Sequence, residues 1–340
     1  MSSQHLANNC IRAHSDIHFH FARSAMKQSP DSFDTFMSLY ELVPERTLLA
    51  PLADNIRKRF EMALQLMHST LSDRLTWEQI ASRSAISPFH FHRQFTQLFH
   101  ETPGQYLHRI RLQYAISQLL MSRNSSITQI ALSSGYSSSQ ALAKALKRDT
   151  GYQAKHIKAL GQTGTPDETI ALLSKLAHPS QHRTSEVVQP PLEQQLALSM
   201  PCELIWFPAR GIYTQIAHRG DWHSLFNQHG QQTAKMLCAT PVLELDRPWH
   251  DITSVTGKWR TPPEPNDHLI AEGYYLCTKV RVASDIAYLN AIESLFRQAE
   301  LLGYPLDNHG SLVEILLGMD ARFTGTASFH FQIPVQLAIT

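Results

Sequence analysis

Three groups of residues in this 340-residue chain have types and spacings that could do chemistry. The first is a block of cations. Of the 30 Lys and Arg residues, 14 fall between residues 54 and 160 against 6 Asp and Glu, whereas residues 200–340 hold 10 against 14. The net charge of +1 therefore conceals a segment of +8 beside one of −4. A basic surface of that size suits a phosphate-rich partner. The second group is a pair of carboxylates in apolar strings, Glu244 within 242–245 and Glu314 within 312–317. A carboxylate buried there without a partner is costly. The third is thiols and imidazoles. Cys10, Cys202, Cys238 and Cys277 lie far apart with no C-x-x-C spacing, and His18 and His20 flank Phe19 with no third ligand in sight. Neither a zinc site nor a disulfide framework is expected, and no metal or cofactor.

These groups need elements to position them. Hydrophobic residues make up 43% of the chain, enough for real cores, and its length predicts two domains. No stretch approaches the ~20 apolar residues of a membrane span. The first nine residues lack the basic start and apolar run of a signal peptide, so a soluble cytoplasmic protein is expected. Residues 1–53 read as an N-terminal arm, with one short helix suggested by Phe33, Phe36, Met37 and Tyr40. Residues 54–160 read as helical nearly throughout. Thr76 with Gln79 and Ser126 with Gln129 are capping boxes, in which side chain and backbone exchange bonds across the first turn. Ser87-Pro88 supplies an N-cap and a first-turn proline. Each capping box opens a short helix, then a tight turn at Ser84–Ile86 or at Gly135, then a second helix. Between the two units, 105–123 carries Leu112, Ala115, Ile116, Leu119 and Leu120 on one face. A helix of that length, ~28 Å, places two recognition helices about one DNA turn, ~34 Å, apart.

These residues resemble the AraC/XylS DNA-binding domain over about 100 residues. The likeness is carried by Ile80-Ala81, Ser87-Pro88, Arg93-x-Phe95, Pro103, Tyr106-Leu107, Arg109-x-Arg111-Leu112, Ala115, Leu119-Leu120, Ile127-x-x-Ile130-Ala131 and Gly135-Tyr136-Ser137-Ser138. Ala85 stands where that family has glycine, Leu142 and Leu146 where it has phenylalanines, and Gln153-Ala154 where it has Ser-Pro. The resemblance implies double-stranded DNA as partner. It puts Phe89, His92 and Arg93 of the first recognition helix at base edges and Ser139, Gln140 and Lys144 at the matching DNA-binding positions of the second, with Lys144 meeting a phosphate and the short Ser139 contributing little. Arg93 can bond a guanine bidentately, Gln140 can read adenine, and Phe89 can press on a thymine methyl. His90, Arg109, Arg111, Lys147 and Arg148 are candidates for phosphate contacts.

Residues 161–199, rich in Gln, Ser, Thr and Pro, read as a linker that could hold a short helix over 170–176. From residue 200 the texture alternates. Strands are expected at 203–207, 211–217, 242–245, 252–258, 269–270, 274–282, 312–317 and 327–335, with helices at 222–237 and 285–301. Pro208–Tyr213 echoes Ile270–Tyr275, and Val242–Leu245 echoes Leu312–Ile315, which suggests one unit used twice. The arrangement resembles the GyrI-like effector-binding domain through Pro208–Tyr213, His218-Arg219-Gly220 and Val313-Glu314-Ile315.

The expected fold is thus two domains, an all-α double helix-turn-helix and then a duplicated α+β effector-binding domain with an antiparallel sheet. The resemblance implies a ligand between the repeats, beside a buried carboxylate. Glu314 takes that position, Glu244 is its internal counterpart, and Tyr213, Trp222, Tyr275 and Trp259 are candidate walls. A carboxylate beside aromatic rings suits a cation. The expected function is a transcription regulator, not an enzyme, that senses a small cationic or aromatic effector, with RNA polymerase as a further partner. Two alternatives stay open: a C-terminal protein-interaction module without a ligand, and a hydrolase using Glu244 and Glu314.

Overall fold

The computed structural model describes residues 37–121, 125–179, 189–213, 216–217, 236–320 and 325–337. Leu39–Thr340 form one compact unit. Its first part is a helical array. Helix α1 (Pro44–Leu49) and the longer α2 (Asp54–Ser69) precede α3 (Trp77–Arg83) and α4 (Pro88–Phe99). Then come α5 (Pro103–Met121), α6 (Ile127–Ser133), α7 (Ser139–Thr150) and α8 (Ala154–Thr163). Both expected capping boxes form, and Ser87 and Ser138 accept backbone N–H bonds at the starts of α4 and α7. Local sequence chemistry therefore fixes where each short helix begins.

Helix α5 explains why two helix-turn-helix units make one body. Tyr106, Leu107 and Ile110, near its start, enter a core with Phe60, Phe91, Phe95 and Phe99. Leu112, Ala115, Ile116, Leu119 and Leu120 enter a second core with Ile130, Leu142, Leu146 and Ile157. Leu142 and Leu146 fill that core as leucines and are wholly buried. The units also touch at their turns. The Arg74 guanidinium donates to the Tyr136 carbonyl, and Arg111 donates to the Leu75 carbonyl. Gly135, at φ +82°, lies so close to the Leu71 carbonyl that a Cβ would sit 2.2 Å from its oxygen.

The segment expected as a linker is built structure. It holds α9 (Pro166–Leu173), a 3-10 turn over Ser174–Leu176 and α10 (Leu192–Leu198). Thr165 and Glu168 form a third capping box at α9. Helix α10 straddles two cores: Leu192 belongs to that of the first helix-turn-helix, Ala197 to that of the C-terminal sheet, and Leu196 packs against both. The arm differs as well. Of the helix expected there, residues 33–36 lie outside the described residues, and Tyr40 is in a strand, β1 (Tyr40–Leu42).

The sheet-rich part contains β2 (Glu203–Phe207), β3 (Arg210–Ile212), β4 (Ile216–Ala217), β5 (Leu237–Pro241), β6 (Val255–Gly257), β7 (Trp259–Arg260) and β8 (His268–Ile270). After them come β9 (Gly273–Val282), helix α11 (Asp285–Leu301), β10 (Ser311–Asp320) and β11 (Thr326–Val335). The larger sheet runs β1-β9-β11-β10-β5-β6-β4, with β2 also on β9, and β7-β3-β8 form a second sheet. Pairing is antiparallel except for β1, which lies parallel to Val280–Val282. One face of the large sheet packs under α11 through Leu276, Val280, Leu312, Leu316, Phe329, Phe331 and Ile333.

Three expectations are corrected here. Residues 242–244 form a 3-10 turn, not a strand, because Pro241 ends β5 and the chain bends away. Its echo of 312–315 is therefore not structural; β5 is the neighbour of β10, with Cys238 opposite Glu314. Residues 211–217 split between the two sheets, and Leu237, expected at the end of a helix over 222–237, instead starts β5; residues 218–235 lie outside the described residues. No helix among the described residues is long and apolar enough to cross a membrane.

Candidate nucleic-acid interface and ligand-binding residues

Helix α4 presents Phe91, Phe95 and Phe99 to the core, fully buried, and this spacing leaves Phe89 and Arg93 outside. Phe89 is 77% exposed, extreme for a phenylalanine. The Arg93 guanidinium lies 6.0 Å from its ring, and the His92 ring packs 5.3 Å from Trp77. Together with Thr96 and Gln97 these side chains line an open hollow of about 630 Å³. The structure thus gathers all three residues expected on the first recognition helix. Trp77, Thr96 and Gln97 were not singled out from the sequence; Thr96 and Gln97 follow Arg93 by one turn, which was the available signal.

On α7, Gln140 and Lys144 are exposed and Ser139 is half-buried, with its hydroxyl donating to Gln140 Oε1 at 3.3 Å. Leu142, Ala145 and Leu146 turn inward. Both second helices of the helix-turn-helix units therefore offer polar side chains outward, one from each end of α5. Lys147 is exposed and bonds the Gly151 carbonyl, capping α7. Arg148 pairs with Asp149, whose carboxyl is held below its ordinary value by that guanidinium, with His108 adding to it.

Two of the expected phosphate contacts are internal instead. Arg109 is buried and holds Glu101 at 2.6 Å, and Arg111 is spent on the turn carbonyl of Leu75. Basic residue type alone does not separate a phosphate ligand from a buried strut. Arg109 borders a polar network on the inner side of the first unit. His68 Nε2 lies 2.9 Å from the Tyr106 hydroxyl, which donates to Glu45 at 2.9 Å. His178 lies between two carboxylates, 3.1 Å from Glu45 and 2.6 Å from Glu193. Burial works against its charge, as does Arg109, yet Glu193 and Glu45 prevail and hold it up at about 9. Burial lowers His68 to about 4. The network joins α1, α2, α5 and α10.

The C-terminal candidates do not converge. Glu314 is buried, accepts a hydrogen bond from the Tyr288 hydroxyl of α11, and lies opposite Phe331 in the sheet. Tyr288 packs edge-on against Phe329 and Phe331 at 5.3 and 5.4 Å. Tyr275 is on the other face of the sheet, among Phe207 and Arg210. Tyr213 is 46% exposed with Arg260 4.9 Å over its ring, and Trp259 sits in the smaller sheet. Glu244 accepts from the Thr253 N–H and pairs with Arg247, closing its own loop. Trp222, like His218–Gly220, lies outside the described residues.

Residues 80–159 match a family model described as a helix-turn-helix domain. An HTH-type transcriptional activator, RhaS, from Escherichia fergusonii is 31% identical over 123 residues, 36% of this chain and 44% of its own. The chain thus spans under half the length of that curated relative. Among solved structures, an AraC-type DNA-binding-domain regulator from Chromobacterium violaceum is 23% identical, covering 32% of this chain and 96% of its own, with a TM-score of 0.30. SAV2435, solved bound to tetraphenylphosphonium, is 10% identical over 40% of this chain and 94% of its own, with a TM-score of 0.29. The chain therefore carries an all-helical helix-turn-helix region, followed by a sheet-rich region whose strands are antiparallel apart from β1.

Proposed function

We propose that this chain is a sequence-specific DNA-binding transcription regulator. The observation that carries the reading is the pair of outward-facing helices, α4 with Phe89, His92 and Arg93 and α7 with Gln140 and Lys144, set on opposite ends of the 19-residue α5. That arrangement suits two successive major grooves on one side of a duplex. The C-terminal half senses a small molecule, and its occupancy alters how the helix-turn-helix region engages DNA or RNA polymerase. A ligand does this only by binding one arrangement more tightly than the other.

The test is selection of bound duplexes from a random pool with the full chain, followed by binding at graded salt. A defined site is expected, and affinity should fall steeply with salt as phosphate-bound counterions are released. Arg93→Ala should cost ~1–3 kcal/mol at that site and relax preference at one base pair. An Arg93→Ala protein with unchanged affinity and base preference would remove Arg93 from the interface. Failure of the parent to enrich any sequence would remove the function.

A further inference from the structure

Between the face of the large sheet turned away from α11 and Arg210 of β3 lies an unusual set of buried donors. Arg210 is 1% exposed, one of the largest fully buried side chains. Its guanidinium lies 4.5 Å from the Phe207 ring and 5.2 Å from the Tyr275 ring. Nη1 donates to Gln332 Oε1 at 2.8 Å and the Tyr275 hydroxyl also acts on the guanidinium, while Nε and Nη2 make no well-formed hydrogen bond to a described residue. No described carboxylate pairs with Arg210. A buried guanidinium normally comes with an acid, because an unpaired buried charge is strongly disfavoured.

The neighbours sharpen the point. Since Gln332 Oε1 accepts from Arg210, its amide nitrogen is the one facing His330, 3.4 Å from Nδ1. His330 Nδ1 is then the acceptor, which places the ring proton on Nε2. That Nε2 is also buried without a partner. Burial, then Lys279 and Arg210, lowers His330 to about 3, so the ring is neutral and a donor at physiological pH. Lys279 lies directly opposite His330 in the sheet, and Glu203 lies opposite Cys277 on the same face. The unsatisfied groups are thus all donors, around one full positive charge. Their free guanidinium edge, Nε–H beside Nη–H, is the one that matches the two oxygens of a carboxylate.

We propose that Arg210 and His330 form an oxyanion site that takes the carboxylate of a small organic acid, with Phe207 and Tyr275 against its apolar body. This site lies across the sheet from Glu314 and asks for the opposite ligand charge. The assignment rests on the reading of the C-terminal half as a sensor and names the chemical class sensed.

Sodium benzoate is the probe, with inorganic phosphate and benzyltrimethylammonium chloride as the other arms, each titrated into the full chain by thermal shift and calorimetry. Benzoate should bind saturably with one site per chain and raise the unfolding temperature. Arg210→Met removes the charge and Arg210→Lys keeps it without the two-donor edge; each should weaken benzoate at least about tenfold. Circular dichroism checks that the variants fold, and Arg210→Lys carries the test if Arg210→Met does not. Equal benzoate binding in parent and variant overturns the site. Phosphate binding as well as benzoate overturns the carboxylate assignment. If only the organic cation binds, the sensor reading stands and the Arg210 site falls. If none binds, both fall.

Discussion

At the scale of single residues, the two helix-turn-helix turns make a controlled pair. Ala85 holds φ +55° and Gly135 holds φ +82°, both left-handed. A side chain in that region costs ~1–2 kcal/mol, while a glycine gives back ~0.5–1 kcal/mol in chain entropy. Ala85 is exposed and has no packing to lose. Ala85→Gly should therefore stabilise the protein by about 0.5–1 kcal/mol in urea unfolding. Gly135→Ala should do the reverse and more, about 2 kcal/mol or above, since its methyl would meet the Leu71 carbonyl where the two units touch. A destabilised Ala85→Gly protein would show that this turn is not strained. Residue chemistry was legible where it is local. Capping oxygens, the first-turn proline and the turn glycine act within four residues, so both units could be read from the string. Arg109 and Arg111 resemble phosphate ligands in the string because their partners, Glu101 and the Leu75 carbonyl, lie outside α5.

Between elements, the network around His178 sets the pH response. The folded pKa of His178, about 9, is above the ordinary 6.5, so its contribution is full below pH 6.5 and is lost as pH rises through 9. His68 goes the other way: held at about 4, it stays neutral in the fold while the unfolded chain takes up a proton below 6.5. Unfolding free energy should peak near pH 6.5 and decline on both sides, and His178→Gln should flatten the alkaline limb. The same variant leaves Glu45 and Glu193 buried without the cation they pair with, a loss of about 3–5 kcal/mol at the peak. An unchanged alkaline limb in His178→Gln would show that His178 carries no charge in the fold. None of this was legible, because Glu45, His178 and Glu193 stand in three unremarkable stretches. The strands of β9–β11 were legible from long alternating runs. The turn at 242–244 was not, since four apolar and acidic residues fit a strand as well as a bend.

For the whole molecule, the shared elements outweigh the boundary between domains. Helix α10 lies in two cores; Trp249 donates to Thr169 and to the Gly164 carbonyl, and Ile286 of α11 packs in the core of the second helix-turn-helix. Heating should therefore give one cooperative transition by calorimetry, and two well-separated transitions would contradict a merged fold. A 54–160 fragment discards Leu48, Leu49 and Leu192 from its core along with Glu45, the hydrogen-bond partner of Tyr106. It should melt well below the full chain. The first strand adds a different constraint. Glu41 pairs with Arg281, 240 residues later, and β1 has no other place in the sheet. On the ribosome the helical reader can assemble early, while its leading strand must wait for β9 to be synthesised and cleared. A chain broken off in that interval would have both helix-turn-helix units complete and its first strand without the partner that β9 supplies.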